Sequence, residues 1–320
     1  NTVAQTMLLA CKSGISLSYS KKKNKMHWII YLIIFVISFS IKDGIRKKSL
    51  NKFDNMAVLS LEFTAAFLIF LLIAIISKTP LTINTYTLSF LGIGILHGLG
   101  TVGKINAMNI SLSKTSLVSK YSLAFPMLLG FFFLGEGSLL NLHSIEGTLK
   151  VIALSLLPVS IYLLQKNKGE SGKTSSVWLW SMAQFFIFHA ALEFLIKLNI
   201  SSEMILQAAV YQRLSAAAIT LIAAKISKAK FPFTKQLYGV TIGNAILISI
   251  SYFATLSALT TAPLVIYKPL AKMLTVIFVT LIGLFVFGEH KKITRRNKWG
   301  YLVTGLGVVL LIIAEVVELS

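Results

Sequence analysis

Ten apolar stretches separated by short polar connectors set the limits on what this chain can fold into. They run His27–Ile41, Met56–Ile76, Tyr86–Ile110, Thr115–Leu134, Ile145–Leu164, Val177–Leu198, Met204–Ile226, Leu237–Leu259, Pro263–Phe287 and Gly300–Val317. A helix needs about 20 apolar residues to cross about 30 Å of hydrocarbon. The first stretch is short and has room to extend toward Ile45. A membrane β-barrel would alternate apolar and polar residues with period two. Phe67–Ile76 is apolar at both parities, so its backbone groups must be satisfied within a helix.

Composition removes the soluble alternatives. Of 320 residues, 55% are hydrophobic and 13% charged, against about 45–50% and about 25% in soluble domains. Mean hydropathy is +0.78. A net charge of +20 in a soluble chain would suggest nucleic acid. Here the cations cluster between apolar stretches, as at Lys291, Lys292, Arg295, Arg296 and Lys298, the pattern of loops held at a membrane face. Nucleic acid is therefore not an expected partner. The single cysteine, Cys11, excludes an internal disulfide framework and a Cys-based metal site. No HExxH, GxSxG or P-loop pattern occurs. No cofactor, metal or catalytic residue is expected, and the chain is not read as an enzyme. Residues 1–25 read as a polar tail or a non-native leader ahead of Met26, with lysines at 21, 22, 23 and 25.

The chain repeats itself. Leu117-Val118-x-Lys120-Tyr121-x-Leu123-Ala124 matches Leu264-Val265-x-Tyr267-Lys268-x-Leu270-Ala271, 147 positions later. Phe133-Leu134-Gly135-Glu136 matches Val286-Phe287-Gly288-Glu289 at an offset of 153, and Gly147 matches Gly300 at the same offset. The most polar connector, residues 165–176, divides a first half, 26–164, from a second, 177–320. Five helices per half is an odd number, so the second half inserts upside down. The expected fold is an all-α integral membrane protein of ten transmembrane helices in two inverted five-helix repeats, with a substrate site between them.

Ala107 through Glu136 with Gly147, and Ala254 through Glu289 with Gly300, Gly305 and Gly307, carry a resemblance. In this duplicated pattern the chain, from about Met26 to Val317, resembles the drug/metabolite transporter superfamily, EamA type. The resemblance implies a permease or exporter of small metabolites. It would place a proline thirteen residues before each Gly-Glu glutamate; here Pro126 lies ten before Glu136, and position 276 is Val.

Positive charge falls on the odd-numbered connectors: Lys42, Arg46, Lys47, Lys48 and Lys52; Lys166, Lys168 and Lys173; Lys228, Lys230 and Lys235; and Lys291–Lys298. The positive-inside rule puts these in the cytoplasm and both termini outside. Lys21–Lys25 and the family resemblance argue for the reverse. The expected location is the cytoplasmic (inner) membrane of a prokaryote.

Ionisable residues within spans are functional candidates by default. Lys268 stands five residues past Pro263, with Lys272 at i+4 on the same face. Lys120 is the repeat equivalent of Tyr267, and Tyr121 of Lys268, so both halves place a lysine–tyrosine pair at one location. These residues could hold a carboxylate or phosphate in a central cavity. They could equally snorkel to an interface or pair with Glu62 or Glu193. His97 and Asn244 occupy matching positions and could line the cavity or simply pack through hydrogen bonds. Glu62 and Glu193 could carry a coupling proton, and the favoured reading of Arg213 is an ion pair with one of them. Glu136 and Glu289 read as structural, hydrogen-bonding helix ends. The glycines of the third stretch read as close-packing sites or a cavity wall.

The functional expectation is a secondary transporter of a small metabolite, anionic or amino-acid-like, working by alternating access. A flippase of lipid-linked phosphates or sugars with the same fold is the alternative, and a membrane-embedded transferase a more distant one. Expected partners are the small-molecule substrate, the lipid bilayer and, as an open option, a second copy of the chain in a homodimer.

Overall fold

The computed structural model describes residues 27–49, 52–110, 115, 119, 122, 124–165, 176–232, 234–286 and 295–319. Every regular element among them is helical: α1 (His27–Ser49), α2 (Asn55–Ile76), α3 (Thr85–Ile110), α4 (Ala124–Phe133), α5 (Ile145–Gln165), α6 (Ser176–Asn199), α7 (Ile205–Ile226), α8 (Lys235–Leu259), α9 (Leu264–Phe285) and α10 (Arg295–Leu319). Short 3-10 helices occupy Glu136–Leu140 and Ser202–Met204. Six helices, α1, α2, α3, α6, α7 and α8, are long and apolar enough to cross a membrane. The expected tail, 1–25, and most of the segment expected to open the fourth helix lie outside the described residues, as does nearly all of the central linker.

Local chemistry sets the helix starts. Asp54 accepts from the amides of Met56 (2.8 Å) and Ala57 (3.2 Å), capping α2. Asn84 and Thr87 cap α3 reciprocally: the Thr87 amide donates to Asn84 Oδ1 (2.9 Å) and the Asn84 amide to Thr87 Oγ1 (2.8 Å). The helix ends are equally specific. At α2, Thr79 N donates to Ala74 O and Lys78 N to Ile75 O, with Lys78 at φ 53°. At α7, Ala229 N donates to Ala224 O and Lys228 N to Lys225 O, with Lys228 also at φ 53°. Both are left-handed caps, each occupied by a lysine where glycine is usual.

Among the helix pairs in contact are α5 with α10, α2 with α7 and, more lightly, α4 with α9. Around these pairs, α1 packs on α8 and α9, while α6 packs on α3 and α4; α3 also packs on α7, and α2 on α8. Glycines permit the closest approaches. A Cβ at Gly94 would collide with Ser215 Oγ and the Gln212 carbonyl of α7. One at Gly103 would lie 2.8 Å from the Ser181 carbonyl of α6. The third-stretch glycines at these positions are therefore contact points between helices.

Polarity is distributed for lipid surroundings. Ile76, Ile83, Phe132 and Ile226 are largely exposed, as are Leu72, Ile187 and Leu302. Glu62, Gln212, Asn244 and Arg213 are buried. An apolar exterior around a partly charged interior suits hydrocarbon, where charged side chains face the bundle interior.

Candidate functional site

The buried charges form three layers along the bundle. The first lies toward the start of α2 and α8 and the end of α1. Glu62 is fully buried, seven residues into α2, roughly 10 Å along its axis. Asn244 Nδ2 donates to Glu62 Oε1 at 2.7 Å. Arg46 Nη1 stands 3.6 Å from Glu62 Oε2. Nearby, Lys42 pairs with Asp43 at 2.7 Å, within electrostatic reach of Lys104. Lys104 itself sits 5.6 Å from the Phe185 ring centroid.

The second layer is at mid-depth. Gln212 Nε2 and His97 Nδ1 are 3.2 Å apart. Arg213, eight residues into α7 and 3% exposed, stacks 3.9 Å over the Tyr252 ring and 5.2 Å from that of Phe63. His97 packs edge-on to Phe63 at 5.1 Å between centroids, and lies 6.2 Å from Tyr252. His97 is also within electrostatic reach of Arg213, His189 and Lys268, which ties this layer to the third.

The third layer lies toward the end of α6 and the start of α9. Lys268 Nζ pairs with Glu193 Oε2, and His189 Nε2 is 3.6 Å from Glu193 Oε1, one helical turn back. Lys272 also acts on the Glu193 charge. Tyr267 is fully buried, and its hydroxyl meets Thr255 Oγ1 at 3.3 Å. Lys197 closes the same end of the bundle by donating to the carbonyls of Leu259 (2.9 Å) and Ala262 (2.7 Å). Such donations satisfy carbonyls left without partners at a helix end.

Glu136 holds two helices together from outside these layers. The Leu264 amide donates to its Oε1 and the Val265 amide to its Oε2, both at 2.9 Å. A carboxylate thus occupies the positive end of α9, as the structural reading of Glu136 expects. Its counterpart Glu289 lies outside the described residues.

The sequence candidates fare unequally. Lys268, Tyr267, Lys272, His97, Asn244, Glu62, Glu193 and Arg213 all lie among the described residues, and Lys120 and Tyr121 do not. Asn244 serves Glu62, and His97 meets Gln212, which stands 150 positions after Glu62. The favoured ion pair of Arg213 is corrected. Among the described residues, Glu62 pairs with Arg46 and Glu193 with Lys268 and His189, and no carboxylate pairs with Arg213. The physical reason is reach: Arg46 enters from the end of α1 and Lys268 from α9, while two aromatic faces hold the guanidinium away from both acids. Spacing alone places Arg46 among the loop cations and does not single out Tyr252, Phe63 or Lys197. A sequence signal exists for Arg46, because the apolar stretch His27–Ile41 is too short to cross hydrocarbon alone and must draw the residues after it into the helix.

A separate hollow of about 500 Å³ lies at the ends of α5 and α10, lined by Leu163, Arg295, Arg296, Trp299 and Val303, away from these layers.

Comparison with known proteins extends only to the fold. A solved structure described as "Crystal structure of protein" is similar, with a TM-score of 0.68 and 12% identity, covering 90% of this chain and 98% of that chain. No family model and no curated protein matches the chain.

Proposed function

We propose that the chain is a secondary transporter of a small metabolite, built as two inverted five-helix repeats that rock about a mid-depth polar site. The supporting observation is the layering of charge. One carboxylate–cation pair, Glu62 with Arg46, lies toward one end of the bundle, and another, Glu193 with Lys268, toward the other. Buried ion pairs at opposite ends can open alternately, each exposing the layer between them to one side. Opening one pair while the other stays closed is the essence of alternating access, with binding at mid-depth.

Several observations favour the inverted repeat. Helices α2 and α7 have the same length, 22 residues, and start 150 positions apart. Their end caps reproduce each other bond for bond at Lys78 and Lys228. Exchanging the halves turns the α6 contacts with α3 and α4 into those of α1 with α8 and α9, and maps α2 with α7, α4 with α9 and α5 with α10 onto themselves. Phe63 and Arg213, equivalent at that offset, touch each other, as residues beside a two-fold axis should.

The working test is uptake into proteoliposomes. The protein should catalyse saturable flux of a small anionic or amino-acid-like solute, and Lys268→Gln should abolish that flux. Undiminished flux in Lys268→Gln would remove the Glu193–Lys268 gate from the mechanism. A preparation that moved polyprenyl phosphate but no soluble solute would favour the flippase instead.

A further inference from the structure

Four buried polar atoms in and beside the middle layer have no hydrogen-bond partner among the described residues: Arg213 Nε, Tyr252 Oη, Gln212 Oε1 and Ser249 Oγ. Their residues are 3%, 8%, 0% and 4% exposed. Unpaired buried atoms also occur beside Glu62 and at Glu193, so their number singles out nothing; what distinguishes the middle layer is that Arg213 Nε and the Tyr252 hydroxyl are donors lying together with no carboxylate partner among the described residues. The charge distribution agrees. Glu62 and Glu193 already have cations, and Lys268, the lysine that the sequence favours for an anion, is neutralised by Glu193. Arg213 has aromatic rings and no carboxylate among the described residues.

We propose that Arg213, close to the Tyr252 and Phe63 rings at mid-depth, is a carboxylate-binding residue that takes the anionic group of the solute, with the Tyr252 hydroxyl as a neighbouring donor. This rests on the transporter reading above and gives its substrate a chemical class. The Tyr252 and Phe63 rings stand close to the guanidinium, and no carboxylate among the described residues occupies its N–H edge. That edge carries parallel N–H groups matching the two oxygens of a carboxylate, a geometry a lysine ammonium cannot offer. Phe63 and the His97 ring supply apolar and aromatic walls for the body of the solute, so a small organic acid with an apolar or aromatic body fits better than a compact inorganic anion.

The test uses detergent-solubilised full-length protein, its unfolding midpoint followed during titration with acetate, benzoate, benzamide or inorganic phosphate at constant ionic strength. Benzoate should raise the midpoint saturably and uncharged benzamide should not. Arg213→Gln should abolish the response, and Tyr252→Phe should shift the half-maximal benzoate concentration upward about tenfold, the equivalent of one hydrogen bond. Without ligand, Arg213→Gln should melt no lower than the unaltered protein, since removing an unpaired buried charge relieves its desolvation. The proposal falls if neither acetate nor benzoate gives a saturable shift, if the shift survives Arg213→Gln, or if Arg213→Gln alone lowers the midpoint. It falls equally if phosphate saturates and the carboxylates do not. Arg213-dependent benzoate binding without benzoate flux in proteoliposomes would remove the transport reading and leave the site. Benzoate flux indifferent to Arg213 would remove the site and leave transport.

Discussion

Glu136 offers a clear stability test, because one side chain joins the start of α9 to the segment after α4. Its carboxylate accepts two buried amide hydrogens, from Leu264 and Val265, at 2.9 Å each. Hydrogen bonds to charged groups contribute about 1.5–3 kcal/mol each, and a negative charge at a helix start adds about 0.3–1 kcal/mol. Glu136→Ala removes both bonds and leaves two amides unanswered. Glu136 lies at the edge of burial, 9% exposed, so water can partly replace it. The lower end of the range therefore applies, a loss of about 3 kcal/mol. Glu136→Gln keeps one acceptor oxygen and should lose about half as much. In a chain of this length 1 kcal/mol shifts the melting midpoint by about 2 °C, giving drops of about 6 °C and about 3 °C. Gly130→Ala should act through the same contact, since a Cβ there would lie 2.9 Å from Glu136 Oε2. The assay is fluorescence-detected unfolding of purified protein in detergent. A Glu136→Ala protein melting within about 1 °C of the unaltered chain would refute the reasoning, as an exposed surface glutamate contributes no more than about 0.5 kcal/mol.

Breaking the Glu193–Lys268 pair one side at a time should destabilise more than removing it whole. Lys268→Gln leaves Glu193 with His189 as its remaining close partner and should cost about 3 kcal/mol, the low end for a broken buried pair, while Lys268→Gln with Glu193→Gln should recover most of the loss; additive losses in thermal unfolding would contradict the pair. Lys78→Gly and Lys228→Gly should each stabilise by about 0.5–1 kcal/mol, because both occupy left-handed helix caps at φ 53°. The two gains should add, and a loss at either site would mean the lysine side chain does something the backbone geometry does not reveal. Gly94→Ala should cost upward of about 1–3 kcal/mol, as its methyl would meet α7 backbone at Gln212; unchanged yield and melting would contradict the α3–α7 contact.

Much of the helical plan is legible in apolar run length alone, since a lipid environment leaves the backbone so few alternatives. The segments Met56–Ile76 and Met204–Ile226 match α2 and α7 to within one residue. Helix α1 runs on to Ser49, past the last strongly apolar residue, because the final turn carries Arg46 inward to Glu62 instead of into a loop. Hydropathy cannot see that, because it scores an arginine as an end signal whatever its partner. A trace of the proposed repeat is also written in the chain, as Ser77-Lys78 and Ser227-Lys228 at the ends of α2 and α7. It is easily missed because lysine is an unremarkable residue after a membrane helix and an unusual one only at positive φ. The site was less legible. Sequence spacing places Glu62, Glu193, Lys268 and Arg213 in spans without saying which cation reaches which acid. That choice depends on depth and on which helices meet.

Depth decides it against the simplest reading of the lysines. Lys268 stands four residues into α9, beside Glu193, six residues from the end of α6. Each therefore sits one to two turns inside the same end of the bundle, and their charges cancel where they stand. Arg213 lies deeper, and a cation at mid-span costs about 2.5–3.5 kcal/mol on insertion scales. A desolvated cation–π contact returns about 2 kcal/mol, and Tyr252 at 3.9 Å is placed to give it. The rings therefore offset much of the cost without neutralising the charge. A lysine paired with a glutamate can open and close a path, but it must first lose its partner before holding an anion. An arginine beside aromatic rings keeps its full charge available, which is why the proposed transporter assigns recognition to Arg213 and gating to Lys268.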